Sequence, residues 1–200
     1  MRTLTHTATA TAVVLAIAAA PADAATTVVR GNGEPAIKYQ RWVDQSKAPT
    51  PDTEVTVHIA LCPYAPNANG CVLGTGIWMH PDRLAEPHSA RIHWLHEIGH
   101  VFDALYMTDS RRARFSAIFG DTRPYWYWQG PLPEGIRPGP RTLGPPSERF
   151  AQAYSECAIH GRTIERRPKR PVKYRYRPSV ALHEQACLFI RRVARQKPST

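Results

Sequence analysis

The sequence predicts an α+β fold: a small twisted sheet packed on a helix that carries an HExxH motif, followed by a mostly helical C-terminal part. Three observations lead there. Residues 55–61, VTVHIAL, alternate Val55, Val57, Ile59 and Leu61 against Thr56, His58 and Ala60, which is the two-residue period of a half-buried strand. From Ser89 the period lengthens to that of a helix, and Ile92, Leu95, Gly99, Phe102 and Tyr106 fall on one stripe. Two later stretches, 147–161 and 179–196, repeat the helical spacing between recognisable start and stop signals.

Ahead of the strand lies a different kind of segment. Residues 1–24 place Arg2 before an apolar Ala/Val/Leu/Ile run and end in Ala22-Asp23-Ala24, the pattern of a secretory signal peptide with an A-x-A cleavage site. The apolar run is shorter than the ~20 residues that span a bilayer, and no later segment is as apolar, so no membrane span is expected. Residues 25–200 are then expected to form one domain, secreted and extracellular.

After the first strand comes CPYAPNANGC, in which Asn69-Gly70 is a strong short-range hairpin signal, and 71–80, CVLGTGIWMH, reads as the returning strand. Gly74 and Gly76 weaken the interior of that strand or mark a close backbone approach. Four cysteines in an exported chain favour disulfides. Their positions suggest Cys62 with Cys71, at the base of the hairpin, and Cys157 with Cys187; two other connectivities remain open.

The helix begun near Ser89, a suitable N-cap, carries His93, His96, His100 and Asp103 on a second stripe. Beyond Met107 the pattern is weak, and 125–146 is rich in Pro and Gly, which reads as a long irregular segment. Residues 147–161 have a Ser147 N-cap, Glu148 in the first turn and a Gly161 stop. The last helix, 179–196, turns Leu182, Ala186, Phe189, Ile190 and Val193 inward. The formal charge of +10 is concentrated in 161–178, where Arg and Lys alternate with Pro and Tyr. That segment is either a solvated loop or a surface for an anionic polymer. Nothing matches a nucleic-acid module, so no nucleic acid is expected.

The chemistry is carried by His96-Glu97-Ile98-Gly99-His100. Histidines four apart on a helix point the same way and can share one Zn²⁺, with Glu97 beside them as general base and not as ligand. A catalytic zinc takes three protein ligands and keeps one position open. A metzincin continuation is absent, because Asp103 and Tyr106 stand where its Gly and its last ligand would be. The third ligand must come from the later helix: Glu148 is best placed, with Glu156 and His160 as alternatives. His93 reads as an exposed or supporting histidine. Asp103 reads as a carboxylate that orients a ligand imidazole, or as a solvated helix-end group.

HEIGHVFD followed by ERFAQAYSEC resembles the gluzincin metallopeptidases, and in particular the zincins similar to the catalytic domain of anthrax lethal factor. There a glutamate heading an E-x-F-A-x-A-aromatic helix is the third zinc ligand; Glu148, Phe150, Ala151, Ala153 and Tyr154 match that pattern. The resemblance implies a zincin-like fold, zinc held by His96, His100 and Glu148, Glu97 as base, and a protein or peptide substrate. It also implies an oxyanion-stabilising tyrosine shortly before the third ligand, where this sequence has none. Tyr154, Tyr127 and His160 are the candidates, with Tyr125 and Arg141 behind them. Two other functions use the same residues: an exported protein that binds anionic cell-wall polymers with a non-catalytic HExxH, or a zinc amidase acting on cell-wall peptides.

Overall fold

The computed structural model describes residues 26–127, 144–163 and 176–196. The expected signal peptide, most of the long irregular segment and the centre of the basic segment lie outside the described residues. Among those described, the architecture is α+β, with a four-stranded mixed sheet and five helices.

The first strand and helix are β1 (Thr27–Arg30) and α1 (Ile37–Asp44), followed by β2 (Glu54–His58). Next come β3 (Gly70–Leu73) and β4 (Gly76–Met79). The order across the sheet is β1-β2-β4-β3. β1 runs parallel to β2, β2 parallel to β4, and β3 antiparallel to β4 at the edge. Val28, Val55, Val57, Ile77 and Met79 fill the buried face, as their alternate spacing requires.

This topology corrects the expected hairpin. Asn69-Gly70 does not join two paired strands; the hairpin is 70–79, and Gly74-Thr75 is its two-residue turn, since Leu73 pairs with Gly76. The local Asn-Gly signal is overridden because β2 pairs with β4, in parallel, and not with the strand that follows it. β2 also ends at His58, leaving Ile59 and Leu61 each 50% exposed where the alternation had placed them inside.

The disulfides are Cys62–Cys71 and Cys157–Cys187. The first ties the loop before β3 to the sheet edge and not to β2. The loop lengths correspond to about 2–3 and 3–4 kcal/mol in the chain-entropy view. Among the described residues no helix is long and apolar enough to cross a membrane.

Helix α2 (Pro87–Tyr106) begins two residues before Ser89, with Pro87 in its first turn, where a missing N–H costs nothing. Residues 94–99 are all buried, and so are Val101, Phe102 and Asp103. A helix covered this fully must be packed on several sides. Trp94 meets Tyr39 of α1, Glu97 abuts β3 at Gly70, and Phe102 meets Phe150 and Tyr154 of α4 (Pro146–His160). The α4 helix starts on Pro146, so Ser147 sits inside its first turn and is not the cap.

Helices α3 (Asp109–Ile118) and α5 (Val180–Ala194) complete the core. Thr108 caps α3 and Ser179 caps α5, each accepting from a backbone N–H three residues on. Phe115 of α3 packs against Phe150 and Phe189, and Cys157–Cys187 ties α4 to α5.

Of the basic segment the structure describes 161–163 and 176–178. Tyr176 is buried, and its hydroxyl donates to Nδ1 of His183, while His183 Nε2 donates to the carbonyl of Gly161. One aromatic of that stretch is therefore core and not part of a binding surface.

Candidate metal centre

Helix α2 presents His96 and His100 on one side, one turn apart, with ring centroids 4.9 Å from each other. The α4 helix crosses here antiparallel: Glu148 at its start meets the two histidines, while Glu156 near its end lies by His88. The crossing is close because of Gly99. A Cβ at that position would stand 2.9 Å from Ala151 Cα and 3.0 Å from Tyr154 Cβ. With only a hydrogen there, α4 comes near enough for Glu148 to reach across.

The Nε2 of His96 donates to Glu148 Oε2 at 3.1 Å, and the Nε2 of His100 lies 3.4 Å from Oε1. One donor atom from each of the three residues falls within 4.8 Å of the others. Two imidazoles and a carboxylate converging on one point form a donor set that suits a divalent transition metal, zinc among them. Electrostatically the group is a linked pair. Burial pushes the His100 imidazole down, but the adjacent Glu148 carboxylate, with Glu97 and Asp103, outweighs it and raises His100 to about 9. Burial pushes Glu148 up, but His100 and His96 hold it well below the usual carboxylate range. A proton on His100 thus occupies the electrostatic role that a cation between the three groups would take.

Glu97 is buried and packs against β3 at Gly70. A Cβ at Gly70 would lie 2.7 Å from its Oε1 and 3.1 Å from its Cδ, so the carboxylate occupies the space a side chain would fill. Gly70 was legible only as a turn residue, yet it is what admits Glu97 to the sheet edge.

Several candidate residues sit elsewhere. Glu156 accepts from Gln152 at 3.0 Å and faces His160 at 3.5 Å, roughly 12 Å along the helix from Glu148. Neither joins His96 and His100 in the donor group, and burial raises the Glu156 carboxyl. Tyr154 is fully buried, and its hydroxyl donates to the carbonyl of Pro49 at 2.7 Å. Tyr127 donates to Asp103 Oδ2 at 2.7 Å and accepts from Arg112 at 3.0 Å. The three candidates for stabilising an oxyanion are therefore engaged away from the donor group, and Arg141 lies outside the described residues. His93 is half-buried and is not one of the converging donors.

Asp103 has a different role from the one its spacing implied. Fully buried, it accepts from Arg112 Nε at 3.1 Å, Trp126 Nε1 at 2.8 Å and Tyr127, and so anchors α3 and residues 126–127 to α2. It influences His100 through space and not by a hydrogen bond. A second grouping, Cys157, His183 and Cys187, also brings donor atoms together, but both sulfurs are in the disulfide.

The fold and this centre define an α+β protein with a two-histidine, one-carboxylate donor group beside a buried glutamate at a sheet edge. Comparison of the chain with protein-family models, with curated proteins and with solved structures finds no match.

Proposed function

We propose that the chain is an exported zinc-dependent peptidase of the zincin type, resembling the gluzincins. The observation that carries this reading is the Glu148 carboxylate reaching Nε2 of both His96 and His100, with Glu97 directed from the same helix to the edge of β3. Zinc held by His96, His100 and Glu148 would supply Lewis acidity toward a carbonyl and toward water.

The protein's own groups do the rest. Glu97, held in place by burial and by the space at Gly70, takes the proton of the attacking water and returns it to the departing amine. The outer edge of β3, where Gly70 lies against Glu97, pairs with an extended peptide and brings its backbone to the carboxylate. The two disulfides fit an oxidising compartment, consistent with action outside the cell.

The test is cleavage of a mixed peptide library by the zinc-loaded protein beside Glu97→Ala, with zinc content measured for both. The expected result is cleavage by the parent alone at equal zinc content. Zinc bound without cleavage by either protein, or equal cleavage by both, overturns the reading.

A further inference from the structure

Tyr64 is 61% exposed and belongs to no expected motif, yet its hydroxyl donates to the carbonyl of Val72 at 2.7 Å. The register of β3 says which way that carbonyl faces. Asn69 O accepts from His80 N, and Leu73 pairs with Gly76 across the two-residue turn. In an antiparallel ladder the backbone groups of alternate residues face the partner strand. Residues 69, 71 and 73 therefore turn toward β4, while Gly70 and Val72 turn outward. β3 ends the sheet, and among the described residues no strand lies beyond it.

The outward groups of this edge are thus those of Gly70, against which Glu97 is packed, and those of Val72, whose carbonyl is held by Tyr64. The loop carrying Tyr64 is fixed at both ends by Cys62–Cys71 and internally by Ala65 N to Cys62 O and Ala68 N to Ala65 O. The hydroxyl also lies near the site. Burial raises its pKa, and the carboxylates of Glu97 and Glu148 raise it further against the lowering effect of the Val72 carbonyl.

We propose that Tyr64 is a specificity-determining residue: held on the outward carbonyl of Val72, its hydroxyl closes the edge of β3 beyond Gly70 and limits the length of extended peptide that the edge pairs. This rests on the peptidase reading above. A peptide that reaches only Gly70 leaves Tyr64 in place. One that continues to Val72 must displace the hydroxyl and exchanges one hydrogen bond for another, with no net gain.

The experiment takes a peptide cut by the protein and extends it one residue at a time at each end. KM and kcat are measured for parent and Tyr64→Phe, and binding of the same peptides is measured by fluorescence anisotropy on Glu97→Gln with Tyr64 or with Phe at that position. One net hydrogen bond, at about a tenfold change per 1.4 kcal/mol, corresponds to roughly three- to tenfold. Tyr64→Phe is expected to raise the ratio of short-peptide to long-peptide KM, and of the corresponding Kd values, by that factor. An equal effect at every length, no effect at all, or a fall in kcat at constant KM overturns the proposal; the last would assign the hydroxyl to the reacting carbonyl instead. If the parent cuts no peptide and Glu97→Gln binds none, the peptidase reading fails first and this inference falls with it.

Discussion

Gly70→Ala separates the chemistry of the site from its stability. The added Cβ would stand 2.7 Å from Glu97 Oε1, whereas ordinary contact begins at 3.4 Å, so the carboxylate must retreat by about 0.7 Å. What moves is the far end of a flexible side chain and not backbone. The fold should hardly register the change: alanine narrows the unfolded ensemble by about 0.4–1 kcal/mol in favour of folding, offsetting mild crowding. The chemistry should register it strongly, since a misplacement near 1 Å of a positioned group costs on the order of a hundredfold. The assay is kcat/KM on a cleavable peptide, with zinc content and thermal unfolding of the same samples. The expectation is a loss of roughly 30- to 100-fold in kcat/KM with zinc retained and Tm changed by no more than a few degrees. Parent-like activity would refute the claim that Glu97 acts from the position it occupies beside Gly70.

Other outcomes follow from the same geometry. Gly99→Ala forces α2 and α4 apart at Ala151 and should weaken zinc binding by about tenfold or more, read by competition with a chromophoric chelator; unchanged affinity would mean the close crossing does not position Glu148. Metal-free protein near pH 7.5 carries a proton on His100, raised to about 9, so zinc uptake should release it and the calorimetric enthalpy should vary with buffer, an effect that vanishes above pH 9. In the metal-free state the raised His100 contributes stability that is complete below 6.5 and lost as pH rises through about 9. The lowered Glu148 contributes above 4.5 and loses its share as pH falls through its depressed folded value, so the pair stabilises most between 4.5 and 6.5; chelator-treated unfolding curves across pH check this. Asp103→Ala leaves Arg112 Nε, the Tyr127 hydroxyl and Trp126 Nε1 without their shared acceptor and should cost about 3–5 kcal/mol in denaturant unfolding.

Much of the centre was legible because its spacing is local. His96, Glu97 and His100 sit on one helix, and the helix pitch alone puts the two imidazoles side by side. Glu148 was legible through the pattern that follows it, but its contact with the histidines depends on Gly99 meeting Ala151, which no local signal announces. The partners of the oxyanion candidates were hidden for a related reason. A tyrosine's availability depends on what its hydroxyl meets, and Tyr154 meets the carbonyl of Pro49, 105 residues away in sequence. Asp103 likewise had a plausible role on its own helix and instead binds groups from α3 and beyond. The sheet was half legible: VTVHIAL gave β2, but pairing between β2 and β4 is non-local, so the Asn69-Gly70 signal misled. β1 and α1 are too short for their periodicity to stand out, and α3 buries only Phe115, which leaves a nearly featureless polar pattern.

The anchoring around Asp103 bears on how this chain tolerates change. Trp126, held by Asp103, accepts from Ser147 N through its carbonyl, and Arg123 donates to Gly144 O, so the two sides of residues 128–143 are joined independently of what lies between them. Glu148 follows directly on that junction. The position of Glu148 is therefore set by these bonds and not by the length of the intervening stretch. Insertions or deletions engineered there are expected to leave the aim of Glu148 at His96 and His100 unchanged.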